Sequence, residues 1–147
     1  MYKNILIATD GSKLSAEAIK SAVVFAKSIN ARITGCYVEE PYHAFYAGNT
    51  AEPEAHAHKE FEHYALPSGE TCLAQIEIAA HAAGLEYSGA VAIADAPYAG
   101  IIETAVKEGC DLIFMASHGR RGLTGLLLGS ETIKVLTHTK IPVLVYR

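Results

Sequence analysis

Leu112-Ile113-Phe114-Met115-Ala116-Ser117-His118-Gly119, followed after nine residues by Gly129-Ser130-Glu131, is the stretch on which the fold turns. A short apolar run enters it, and a helix-like segment, Ser130 to Thr139, leaves it. Strand, glycine-rich loop and helix start is the arrangement that turns backbone N–H groups toward a phosphate. A second turn, Asp10-Gly11-Ser12, closes the first apolar run, Asn4 to Thr9. A fold that brings these two turns together makes a nucleotide site between them.

Working outward, Asn4 to Thr9 has strand length, and helix-capping residues follow it. Ser15 to Ile29 reads as a helix, with Ile19, Ala22, Val23, Ala26 and Ile29 at helical spacing and Glu17, Lys20 and Lys27 facing water. Arg32 to Val38 is a second strand. Glu40 to Thr50 is an aromatic-rich loop, and Glu52 to Ala65 reads as helical. Pro67-Ser68-Gly69 interrupts it, and helix resumes from Glu70 to Ala83 with Gly84 as its stop. Tyr87 to Ala94 is a third strand. Pro97 opens a helix whose apolar face is Ile101, Ile102, Ala105 and Val106, ending at Gly109. Asp111 to Ser117 is strand four, Ser130 to Thr139 a helix, and Val143 to Tyr146 strand five.

Strands alternating with helices imply an α/β fold, a doubly wound parallel sheet with helices on both faces. The near-continuous apolar strands agree, because buried parallel strands lack alternation. Ligands in such sheets bind beyond the carboxyl ends of the strands, where the strand order reverses. Two common orders are open. In one of them, 3-2-1-4-5, the reversal puts Asp10 beside Ser117 to Gly119. Neither GxxxxGK[ST] nor GxGxxG is present. Backbone amides and hydroxyls around Gly119, Gly129, Ser130 and Thr132 would therefore have to hold the nucleotide.

The chain has 147 residues, half of them hydrophobic, and a formal net charge of −4. That suffices for one domain with a real core and excludes a disordered chain. Only Arg120 and Arg121 set two cations side by side, so the basic footprint of a nucleic-acid binder is missing. No apolar run reaches the ~18 residues of a membrane span. Met1-Tyr2-Lys3 runs straight into a strand-length segment and does not read as a signal peptide. Cys36, Cys72 and Cys110 are isolated thiols, which suits burial in a reducing cytosol. The expected location is cytoplasmic.

These residues together resemble the universal stress protein family, over nearly the whole chain. The family's signature is Gly-x2-Gly-x9-Gly followed by Ser or Thr. Gly119 and Gly129 stand at its second and third glycines, Ser130 at its hydroxyl position, and Ala116 replaces the first glycine. Thr9-Asp10-Gly11-Ser12 and Ile141-Pro142-Val143-Leu144-Val145 also resemble the family. The resemblance implies one Rossmann-like domain over residues 1–147, five parallel strands in the order 3-2-1-4-5, a homodimer, and ATP (or ADP or AMP), with or without Mg2+, at the switch point. Carried over by position, Ala8, Thr9 and Asp10 would lie near the nucleoside and Val38 would pack on adenine. Met115 and Ala116 would approach the ribose, and Gly119, Gly129, Ser130 and Thr132 would surround the phosphates. Ala116 raises a defined question. A methyl group is tolerable if glycine serves only close approach, and costs on the order of 1 kcal/mol if the position requires φ > 0.

Each candidate has a plainer reading. Asp10 holds magnesium or the nucleotide, or else caps the first helix. Ser130 serves both as cap and as phosphate ligand. Glu131 is structural, suited to the helix dipole. His118 has no evident partner and is not read as catalytic. Arg120 and Arg121 either screen phosphates or are solvated. Tyr42, Phe45 and Tyr46 either cover a ligand or pack on the body. His56, Glu60 and His63 share one helix face, read as solvated rather than as a zinc site. Ile141 to Tyr146 is an apolar edge strand, suited to dimerisation. The function expected is a nucleotide-binding stress-response regulator with at most slow ATP hydrolysis, acting on an unspecified downstream protein. The alternatives are a nucleotide-free interaction protein, or a Mg-dependent ATPase or nucleotidyl-transfer enzyme using Asp10 and His118.

Overall fold

A computed structural model of the chain describes residues 1–41, 68–119 and 128–147. The elements in chain order are β1 (Asn4–Ala8), α1 (Lys13–Ile29), β2 (Arg32–Glu39), α2 (Gly69–Ala82), β3 (Tyr87–Ile93), α3 (Pro97–Lys107), β4 (Leu112–Ala116), α4 (Ser130–His138) and β5 (Val143–Tyr146). The expected helix Glu52 to Ala65, the greater part of the Glu40 to Thr50 loop, the His56, Glu60 and His63 face, Tyr42, Phe45 and Tyr46, and Arg120 and Arg121 lie outside the described residues.

The strands form one sheet in the order β3-β2-β1-β4-β5, all neighbours parallel. The order reverses between β1 and β4, the two central strands, each of whose residues is buried. Alternation then divides the core between two faces. Ile5, Ile7, Ile33, Leu112 and Phe114 pack with α1 and α2. Leu6, Ala8, Cys36, Ile113 and Met115 pack with Ile101 and Ala105 of α3 and Val135 of α4. Each fully buried large aliphatic side chain contributes roughly 1.5–3 kcal/mol, so the two layers hold the strand ends in fixed register.

Several boundaries differ from the sequence reading. Helix α1 starts at Lys13 because Ser12 is its N-cap, its hydroxyl accepting from the Ser15 amide at 3.2 Å. Ser68 caps α2 in the same way through Thr71. In α3 the inward face includes Gly100, Ile101, Thr104 and Ala105. Val106, expected on that face, is 67% exposed. The small Gly100 and the bonded Thr104 let the helix lie close to the sheet, and this turns Val106 outward. Strand β3 is not a buried strand: Val91 and Ile93 are exposed, because the strand closes one edge. No described helix is long and apolar enough to cross a membrane.

Candidate functional site

The carboxyl ends of β1 and β4 carry the two turns that the topology joins. After Ala8 the chain bends sharply at Gly11, whose φ of 75° favours glycine. The turn is internally bonded. The Gly11 amide donates to Thr9 Oγ1 at 3.2 Å and the Ser12 amide donates to Asp10 Oδ1 at 2.9 Å. Ser15 Oγ donates to the Ser12 carbonyl at 2.9 Å, so the Thr9 hydroxyl, 3.1 Å away, is left to donate to Ser15. The first helix is therefore capped by Ser12, not by Asp10. Asp10 instead presents its second oxygen across the crevice. A Cβ built on Gly119 would collide with Asp10 Oδ2. The two turns thus meet at the α-carbon of Gly119.

Ser117, which the sequence reading passed over, ties the site together. It is fully buried. Its amide donates to the Tyr146 carbonyl of β5 at 2.6 Å, and its carbonyl accepts from the Gly129 amide at 2.7 Å. Thr132 Oγ1 lies 3.0 Å from that carbonyl and 3.2 Å from the carbonyl of Ala116. One residue at the end of β4 therefore fixes β5 and the start of α4. The available signal was a serine that breaks an apolar strand two residues before Gly119.

Gly129 is the N-cap of α4, and Ser130 is its exposed first residue; the expected capping role of Ser130 is not what the structure holds. A glycine has no side-chain oxygen to offer, so no side chain caps this helix. Its first amides have no intrahelical partner by construction. A Cβ on Gly129 would sit 3.1 Å from His118 Cα and 3.3 Å from the Ser117 carbonyl oxygen, so glycine allows the helix to start against the end of β4. His118 does have a partner: its Nδ1 lies 3.0 Å from Ser117 Oγ. Glu131 is engaged structurally, accepting the Tyr98 amide at 2.9 Å and an ion pair from Lys134 at 2.7 Å.

The backbone part of the question raised by Ala116 has a geometric answer. Ala116 is the last residue of β4, in register with Tyr146 of β5. Among the described residues the only positive φ outside glycine is at Asn30. Position 116 therefore imposes no left-handed backbone, and its methyl group carries no strain.

Of the ten positions named from the sequence, Ala8, Val38 and Met115 project to the same face of the sheet, packed with or against the α3–α4 layer. Thr9, Asp10, Ala116, Gly119 and Gly129 gather at the switch point, with Ser130 exposed at its rim and Thr132 buried beneath it. The donor set is of the kind an anionic, part-apolar ligand requires: uncapped helix amides, a glycine cradle that a Cβ would fill, and an apolar strand-end platform. Among the described residues no group of three or more His, Cys, Asp or Glu could hold a metal ion by itself.

Residues 1–147 match the Universal stress protein family. The universal stress protein MJ0531 of Methanocaldococcus jannaschii is 33% identical over 149 aligned positions, covering 100% of this chain and 83% of that protein. Two solved structures share the fold. A universal stress protein in complex with cAMP superposes with a TM-score of 0.71 at 23% identity, covering 99% of this chain and 97% of that one. The universal stress protein from Archaeoglobus fulgidus in complex with dAMP does so with a TM-score of 0.64 at 16% identity, covering 99% and 98%. The chain belongs to the universal stress protein family.

Proposed function

We propose that this universal stress protein is a regulator that binds an adenine nucleotide, with ATP the principal ligand, at the carboxyl ends of β1 and β4. The observation that carries the reading is the contact of Gly119 Cα with the Asp10 carboxylate, beside the start of α4, whose N-cap Gly129 has no side chain and packs against His118 and Ser117. Such a cradle suits phosphate oxygens on backbone amides. The complexes of two fold relatives with cAMP and dAMP support adenine as the base. In this reading Ala8, Val38 and Met115 form the apolar wall for the base and ribose, with Thr9 and Ala116 at its edge. Gly119, Gly129 and Ser130 surround the phosphates, and Asp10 is the carboxylate suited to a Mg2+ ion shared with them. Thr132 sits under the cradle and positions it, because its hydroxyl is bonded to the carbonyls of β4.

Hydrolysis is slow in this reading. Water activation needs a free base held at the γ-phosphate. His118 Nδ1 is bonded to Ser117, and Glu131 is bonded to Tyr98 and Lys134. The protein acts as a cytoplasmic homodimer joined through Ile141 to Tyr146, an edge with apolar residues on both faces. Mass spectrometry of protein denatured directly after purification, followed by titration calorimetry with ATP, ADP, AMP and cAMP, tests the proposal. Released or added adenine nucleotide should bind at one site per chain. Protein that is empty and binds none of the four at millimolar concentration overturns it.

A further inference from the structure

The first turn of α4 sends three consecutive side chains in three directions. Ser130 is exposed, Thr132 is buried under β4, and Glu131 crosses to the next helix. That neighbour, α3, has no cap of its own: its N-cap is Ala96 and Pro97 stands in its first turn. The Tyr98 amide donates instead to Glu131 Oε2 at 2.9 Å, so a carboxylate from α4 does for α3 what a local Ser or Asp would do. The grip continues along α4. Lys134 Nζ is 2.7 Å from Glu131 Oε1 and 5.5 Å from the centre of the Tyr98 ring, and the His138 ring lies 5.1 Å from the same ring.

Further along α3, Gly100 receives Val38. A Cβ at position 100 would meet the two Val38 methyl carbons at 2.8 and 2.9 Å. A continuous path therefore runs from the start of α4 through Glu131, the Tyr98 amide and Gly100 to Val38 at the end of β2. Its two ends are the phosphate cradle and the apolar base wall of the site described above.

We infer that Glu131 is a positioning residue that sets the separation between the base wall at Val38 and the phosphate cradle at the start of α4. The inference rests on the adenine-nucleotide reading. A ligand that spans two subsites gains from its linkage only when their separation matches its own length. Packed helices can occupy arrangements that differ by shifts of about 1–2 Å, and a directional bond from one N-terminus to the other selects one of them. Glu131 also stands beside an anion cradle, where a carboxylate facing inward would repel phosphate. Its bonds to Tyr98 and Lys134 turn it away.

The test compares full-length wild type with Glu131→Gln, Glu131→Ala and Glu131→Asp, measuring affinity for ADP, adenosine and inorganic pyrophosphate. Thermal unfolding checks that each variant is folded. The Gln oxygen still accepts from the Tyr98 amide, so E131Q should bind ADP as wild type does. E131A should lose about ten-fold in ADP affinity while adenosine and pyrophosphate bind as before, because only the linked ligand reads the separation. E131D keeps the charge but shortens the reach, and should match E131A; it stands in for E131A should that variant fail to fold. An equal loss for adenosine or pyrophosphate, an E131Q as weak as E131A, or variants indistinguishable from wild type each overturn the role of Glu131 while leaving nucleotide binding intact. Wild type that binds none of the three ligands overturns the nucleotide reading itself, and this inference with it.

Discussion

The α-carbon of Gly119 lies against the carboxylate of Asp10, so residues 109 positions apart in the chain share one point in the crevice. A methyl group at 119 has to displace that carboxylate, which is also held by the Ser12 amide at 2.9 Å. Overpacking of this kind costs about 1–3 kcal/mol. Gly119→Ala should therefore lower the unfolding free energy by about that amount and, by displacing Asp10, weaken ATP binding. Calorimetric titration reads the latter. The double variant with Asp10→Ala should recover stability, because the obstructing oxygen is gone; a double variant no more stable than Gly119→Ala would show that the contact is not the cause.

Gly100 presents two opposed effects whose sizes decide the outcome. Ala in place of Gly in a helix gains about 0.8–1 kcal/mol of propensity. The added carbon would lie 2.8 and 2.9 Å from Val38 and 3.2 Å from Ala94 Cβ, forcing α3 off the sheet at a cost of about 1–3 kcal/mol. Gly100→Ala should be net destabilising, by on the order of 1 kcal/mol, in urea unfolding. A more stable variant would mean that the helix yields easily.

Thr132 tests whether the cradle depends on its support. Thr132→Val keeps the shape and removes the donor to the carbonyls of Ala116 and Ser117. Loss of a buried donor costs about 1–3 kcal/mol. Thr132→Ser, which keeps the hydroxyl, should recover most of it. Thermal unfolding of the pair measures the difference, and equal melting temperatures would remove the hydroxyl from the account.

The Ile113 amide donates to the Pro142 carbonyl and the Ser117 amide to the Tyr146 carbonyl. With a period of two along β5, the backbone of Val145 faces the open edge. Val145→Pro should therefore leave the sheet intact, as proline is accepted where an edge amide points outward. It should also convert the proposed dimer to monomer in analytical ultracentrifugation. A variant that stays dimeric would place the interface elsewhere.

A buried thiol, Cys36, and a half-buried phenol, Tyr87, should lower stability at alkaline pH. Burial pushes the Cys36 thiol up to about 11 from 9.0, against a lowering hydrogen bond to Thr104. Burial and then the charge of Glu77 push the Tyr87 phenol up to about 12 from 10.0. Both raise the folded-state value, so the folded chain keeps protons that the unfolded chain releases. Their contribution is complete below pH 9 and declines as the pH rises through 9 to 12. Unfolding free energy measured across that range should fall, and Cys36→Ala and Tyr87→Phe should each flatten the slope. Unchanged slopes would dissociate these groups from the decline.

The alternation of apolar runs with amphipathic helices, together with turn residues at the ends of the strands, determined the α/β class and the order of the described elements, with most boundaries shifted by a residue or two. Those features are local: a strand such as Ile5-Leu6-Ile7 and a helix such as α1 are written in the period of their own side chains. The spacing from Ala116 to Ser130 likewise marked the loop that matters, and Ser12 stood where a cap is needed. What depends on contacts between distant segments was not legible. Val106 carries the right residue type for the inner face of α3, but Gly100 and Thr104 lie against the sheet and turn it out. Thr132 was expected beside the phosphates by its position, yet only packing shows its hydroxyl bonded to the carbonyls beneath the cradle. That Ala116 carries no left-handed backbone follows from a strand conformation that its neighbours in β5 impose. Ser117, fully buried and bonded to β5 and to the start of α4, shows in the sequence only as a polar residue that ends an apolar strand; its partners do not show there. Periodicity records which face of an element is apolar; which atoms meet across the crevice is decided by how the layers pack, and that is a property of the whole chain at once.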